Sequence, residues 1–396
     1  AMADTSPSTS GVKAKFTRND FMLAPQKYQR LLYLLASEPG NANALAEAMG
    51  MGVDLDMYSK LLSNFFNLWD RNLLLINWCI QSEFKTSPAA QSGSLMRGNT
   101  FLSKLESEFA RKHGTEYLKL LFTDLVREVI TQDQSFDIDT SRGNISESIL
   151  QDRIIKLKLL AQRFFARIIS EDMRKKMPRV IRAIAGLTKM HAKEHYPNAS
   201  TSPLIGGFLM LRYFAPALVS PEAFGLLGPD EVPSPKARAN LIIIAKVLQN
   251  ISNGLTFETT KKEEHMRPLD EFVRSQFKLM DLYYQAVAED PLIPSSSESG
   301  LQPWADLLNK PLTLEMIQID KIGLPDLFQL HRLIDRFKNK FLTCLSNRQA
   351  SSTSPTGSST PASPTSSANA STTATNGSTN NIQVSDITQL LQLLGP

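Results

Sequence analysis

Cysteine is nearly absent: Cys79 and Cys344 are the only two in 396 residues, and both sit among apolar neighbours (NWCI, FLTCL). That excludes a disulfide framework and fits reduced core thiols. No apolar run reads as long enough to span a bilayer, and the opening AMADTSPSTS lacks the basic start and apolar stretch of a signal peptide. The expectation is a cytoplasmic protein with no transmembrane segment. Blocks of like charge are also missing. The net charge of +4 is spread along the chain, which gives no support to a nucleic-acid or lipid surface. GxGxxG after a strand, GxxxxGK[ST], GxSxG and HExxH do not occur, so no nucleotide or hydrolase site is evident. His191 and His195 stand four apart in MHAKEHY, a spacing that can hold a metal. With no third ligand nearby, they read as cations at a helix C-terminus, and no metal site is expected.

Strand-like alternation is also nearly missing, whereas apolar residues recur at helical spacing from Lys27 to Leu345. The fold class is therefore all-α. The longest helices are expected at about 55–68, 72–84, 100–112, 115–131, 147–170, 174–195, 204–219, 236–252, 265–289 and 324–345. Residues 1–20 read as a flexible lead-in and 349–384, rich in Ser and Thr, as a disordered tail that cannot bury a core. A short amphipathic helix is expected over 385–396, with Leu390, Leu391, Leu393 and Leu394 to bury.

Helix packing leaves three segments unexplained. SPAAQSGSLMRGNTFLSKL, residues 87–105, runs from small polar residues into a helix. Gly98 frees the backbone there, and Asn99 or Thr100 can cap the helix. Arg97 reads either as an ordinary solvated arginine or as a guanidinium presented from an anchored loop. The second segment, IGGFLMLRYFAPALVSPEAFGLL, is apolar on all sides over 208–219 except at Arg212, so it reads as a buried helix whose one charge needs backbone carbonyls or a carboxylate. Pro216 cannot donate to the carbonyl of Arg212, and a kink is expected just past it. In the third, NLIIIAKVLQNISNGLTF, Leu241, Ile244, Leu248 and Ile251 form a core stripe. Lys246, Gln249, Asn250 and Asn253 form a second, amide-rich stripe, which is either solvated or a recognition face.

Taken in order, SLMRGNTFLSKL, LRYFAPALVSPEAFGLL and AKVLQNISN with KKEEHMRPLDEFV resemble three conserved motifs of the Ras GTPase-activating (RasGAP) domain, in its neurofibromin-like branch. They are similar to the arginine-finger loop, the FLR-x-x-x-PA signature and the third conserved block. The likeness takes in residues 21–348, with a catalytic centre at about 72–290, and departs from the pattern at Met210, where the family has phenylalanine. The resemblance implies that Arg97 is the finger entering a partner's active site and that Arg212 steadies its loop. It implies that Leu211 packs on the partner's switch II region and that Lys246, Gln249 and Asn250 face the switch surface, with Glu263 restraining Lys246 through an ion pair. The implied partner is a Ras-type small GTPase in its GTP-bound form. GTP and Mg²⁺ would belong to that partner, so no cofactor of the chain's own is expected. The activator would be a monomer of the cytoplasm, acting at membranes where Ras is anchored. Two alternatives stay open: a helical scaffold that binds the G protein without accelerating hydrolysis, and an activator preferring Rap.

Overall fold

The computed structural model describes residues 25–86, 96–132, 134–143, 145–259, 261–289, 308, 311–352, 387–389 and 391–392. The expected flexible lead-in and most of the expected tail lie outside them. Among the described residues every regular element is helical, as the periodicity requires. The described residues divide into two units, one drawn from Ala1–Tyr58 and Leu312–Pro396, the other from Ser59–Pro311.

In the first unit, helices α1 (Pro25–Ser37) and α2 (Pro39–Met49) pack together, and α2 packs on the later helix spanning Leu324–Ser352. Buried Tyr28 meets His331 at 3.0 Å, and Arg348 donates to the Gly40 carbonyl and to Glu47. That later helix runs on into the stretch expected to be disordered, and its end at Ser352 shifts the tail's start. Of the short helix expected at 385–396, Ile387 and Leu391 are buried, four apart on one face, and Lys338 donates to the Leu391 carbonyl.

The second unit holds the motif residues. Its elements are α3 (Val53–Leu68, within which the chain passes into this unit), α4 (Asn72–Thr86), α5 (Phe101–Thr131), α6 (Glu147–Ile169), α7 (Glu171–Lys176) and α8 (Arg179–His195). Then come α9 (Ser202–Phe208), a π turn (Leu209–Phe214), α10 (Ala215–Val219), α11 (Pro235–Asn253), a 3₁₀ stretch (Lys261–Leu269) and α12 (Asp270–Ala288). Caps set several ends. Ser146 and Ser234 accept from the third residue of α6 and α11, and left-handed Gly254 closes α11. Pro178 separates α7 from α8 where the sequence pattern suggested one helix.

Two expected helices at 100–112 and 115–131 are one helix of 31 residues. Gly114 does not break it, because the glycine is where Tyr213 crosses α5: the Tyr213 hydroxyl donates to the Gly114 carbonyl at 2.7 Å, and a Cβ there would lie 2.2 Å from that oxygen.

The segment Ser202–Val219 corrects the expectation about apolar runs. By length and composition it could cross a membrane, but 72% of it is buried inside the protein, which marks a core helix. It packs against α5, α8, α11 and α12. Pro216 leaves the Arg212 carbonyl without its usual donor, and the preceding turn is widened. Ala215 N–H reaches back five residues to Met210.

Candidate functional site

Arg97 lies just before α5, in a described stretch, residues 96–100, that is held from both sides. Thr100 caps the helix: its hydroxyl accepts from Ser103 N–H at 3.2 Å, and the Ser103 hydroxyl accepts from Thr100 N–H at 2.9 Å. Of the two expected caps, Thr100 is therefore the one used. The left-handed residue is Met96, with φ of 64°, and not Gly98. A methionine tolerates that conformation here because its side chain is 2% exposed, so core burial offsets the strain.

Glu83 on α4 brackets the loop. One carboxylate oxygen accepts from Met96 N–H at 3.3 Å and the other from the Thr100 hydroxyl at 3.1 Å. Burial pushes the Glu83 carboxyl up, against the opposing pull of these donors and of the Arg212 charge. Behind it Glu106 is fully buried and neither of its oxygens has a hydrogen-bond partner. Burial, and then the Glu83 charge, holds the Glu106 carboxyl well above the usual range. Gly207 on α9 gives the loop its room. A Cβ there would stand 3.2 Å from the Met96 carbonyl oxygen and 3.7 Å from Arg97 Cγ.

Arg212 reaches the same loop from the π turn. Its Nη2 donates to the Arg97 carbonyl at 2.8 Å and to the Gly98 carbonyl. The partners are backbone carbonyls, one of the two options the sequence left open. Its burial differs from expectation, however. Arg212 and Leu211 are both half-buried, because the wide turn leads them out of the core while Met210, Tyr213 and Phe214 stay inside.

The Arg97 side chain points to the end of α11, where Nη2 donates to Asn253 Oδ1 at 3.0 Å. Asn253 closes the amide-rich stripe, of which Lys246 is exposed and Gln249 and Asn250 are half-buried. Lys246 lies about 10 Å up the helix from Asn253. It pairs with Glu263 at 2.6 Å, the ion pair expected for these residues. Arg97, Arg212 and Asn253 are thus in direct contact, while Lys246 and Glu263 stand two turns away. Glu83, Gly207 and Glu106 were not singled out from sequence. The adjacent glycines in IGGF were a usable signal for close backbone approach, but a single acidic residue in QSEFKT carried none.

One more expectation changes. Glu194, in the same turn as His191 and His195, supplies the third ligand group that seemed to be lacking, since i, i+3 and i+4 share a helix face.

A family model described as GTPase-activator protein for Ras-like GTPase matches residues 75–148 and 143–253. The chain is 35% identical over 291 residues to neurofibromin-A of Dictyostelium discoideum, an alignment covering 70% of this chain and 31% of that protein. It is 27% identical to Ras GTPase-activating protein gap-2 of Caenorhabditis elegans, over 58% of this chain and 18% of the relative. It is 23% identical to human Ras GTPase-activating protein 1, over 74% and 27%. The chain thus spans less than a third of the length of these curated relatives. The matched stretch contains Glu83, Arg97, Arg212, Lys246 and Asn253. Through it the chain belongs to the family of GTPase-activator proteins for Ras-like GTPases, as a neurofibromin-like member.

Proposed function

We propose that this domain accelerates GTP hydrolysis by a GTP-loaded Ras-type small GTPase, with Arg97 inserted into the partner's active site. One observation carries the reading: the Arg97 main chain is clamped by Arg212 and bracketed by Glu83, while its half-buried guanidinium rests on a hydrogen bond to Asn253. A side chain so placed can leave one neutral acceptor for an anionic one without reorganising its backbone.

Hydrolysis develops negative charge on the transferred phosphoryl group and the leaving oxygen. A guanidinium presents planar donors to such oxygens and stays protonated, so lysine would not substitute equally. For Ras-type G proteins and their activators, the finger's known gain is about 10³–10⁵, equivalent to roughly 4–7 kcal/mol of barrier. The Arg97 carbonyl has two lone pairs, so the bond from Arg212 leaves one for the partner's glutamine that positions the attacking water. In this reading GTP and Mg²⁺ stay with the partner. Leu211 meets switch II, and Lys246, Gln249 and Asn250 face the switch surface, with Glu263 limiting the positions open to Lys246. The monomeric activator works from the cytoplasm on membrane-anchored G protein.

The test is single-turnover phosphate release from GTP-loaded Ras and Rap with parent and Arg97→Ala protein. A loss of about a thousandfold or more at unchanged melting temperature is expected. Stimulation by the variant equal to the parent's would rule Arg97 out as the finger.

A further inference from the structure

At the C-terminal end of α8, remote in sequence from the finger loop, His191, Glu194 and His195 share one helix face. One ligand atom from each lies within 4.8 Å of the other two. Hydrogen bonding orients both imidazoles. His191 Nε2 is 2.8 Å from the Asn77 side-chain oxygen on α4, an acceptor, so the ring donates from Nε2 and its lone pair sits on Nδ1. That Nδ1 is buried, has no hydrogen-bond partner, and lies 3.4 Å from a Glu194 carboxylate oxygen. His195 Nδ1 lies 3.0 Å from the His191 carbonyl, which can only accept, so the lone pair of this ring is on Nε2. Each histidine thus donates its other N–H to an oxygen, the arrangement that fixes tautomer and ring angle in metal-ligating histidines.

We propose that His191, Glu194 and His195 form a binding site for a divalent transition-metal ion of the zinc class, with water completing a four-coordinate shell. Two imidazole nitrogens and one carboxylate oxygen are a donor set that zinc accepts. In a tetrahedral zinc site the ligand atoms stand roughly 3.4 Å apart, given bonds of about 2.0–2.2 Å. Exposed Glu194 and half-buried His195 close the remaining distance by side-chain rotation, while buried His191 serves as the fixed point. Rings of Phe84, on α4, and Tyr196 lie 5.5 and 6.4 Å from the His195 ring and limit where it can turn.

The experiment uses the full chain, stripped with a chelator and titrated with Zn²⁺ alone by calorimetry, and with Co²⁺ to read four-coordinate geometry from its visible absorption. One equivalent of each should bind, Zn²⁺ should raise the melting temperature, and Co²⁺ should show the strong absorption of a tetrahedral site. Glu194→Gln and His195→Ala alter residues outside the core, and each should weaken Zn²⁺ binding at least tenfold, whereas Lys193→Ala in the same turn should not. Binding that persists in the Glu194→Gln, His195→Ala double variant, an octahedral cobalt spectrum, or no binding by the parent would overturn the site.

Discussion

Replacing Glu83 with alanine probes the loop without touching Arg97. The change removes acceptors from Met96 N–H and the Thr100 hydroxyl, the residues on either side of Arg97 and its glycine–asparagine extension. Hydrogen bonds to a charged group contribute about 1.5–3 kcal/mol each. Glu83 is half-buried and its burial already raises its carboxyl, and water can reach part of the vacated space. The loss of anchoring should therefore be about 1.5–3 kcal/mol in all rather than twice that. As a shift in the population of loops holding Arg97 ready, this is roughly ten- to a hundredfold in rate. It is well short of the thousandfold or more expected for Arg97→Ala. The assay is single-turnover hydrolysis against activator concentration. If the partner cannot reorder the loop, the plateau falls; if it can, half-saturation rises instead. Glu83→Gln keeps one acceptor and should fall between parent and alanine. Parent-like plateau and half-saturation in Glu83→Ala would refute the anchoring role, and a loss as deep as that of Arg97→Ala at unchanged melting temperature would put Glu83 in the chemistry.

Arg212→Ala should lower the plateau at least tenfold while costing no more than about 1 kcal/mol of stability, since Gly98 is exposed and Arg97 and Arg212 are only half-buried; a calorimetric loss several times larger would contradict the half-buried placement. Lys246→Glu sets a negative charge opposite Glu263 and, on the proposed docking, toward acidic switch regions, so half-saturation should worsen at least tenfold with a nearly unchanged plateau. A collapsed plateau at unchanged half-saturation would count against that role. Glu106, with its carboxyl raised by burial, binds a proton in the folded chain that the unfolded chain releases near its ordinary value of 4.5. Its contribution is therefore intact below that value and is lost as pH climbs through the raised one. Glu106→Gln should match the parent near pH 5 and melt higher at pH 8, and a melting difference that stays constant across this range would exclude the buried-acid account.

Much of the helical order could be read from periodicity, because burying a stripe leaves a 3.6-residue signature that needs no partner to interpret. The errors fall where a contact overrides local tendency. The helix over 101–131 was read as two because the partner of Gly114, Tyr213, comes 99 residues later. Arg212 looked buried because its neighbours are apolar on every side, and an α-helical wheel cannot anticipate a wider turn. The loop was singled out through Arg97 and its flanking motif, but its supports were not. Glu83 is the one acidic residue of α4, with no second acid at helical spacing there to mark it, and Gly207 matters only once Met96 lies across it. Lys246 and Glu263 were paired correctly from the resemblance, since neither spacing nor charge alone selects one carboxylate among the several in KKEEHMRPLDEF.

The widened turn at Leu209–Phe214 carries a residue more than an α-helix of the same span would need. Excising one residue there would let α9 and α10 keep their facing relative to the core, so the domain should tolerate the deletion better than one made elsewhere in a buried helix. Arg212, which sits inside that turn, would nevertheless change its facing and lose the carbonyls of Arg97 and Gly98. A chain shortened in this way should stay folded yet leave the Arg97 main chain without its Arg212 clamp. On the proposed function, a single lost codon then converts an activator into a competitor for its own G protein.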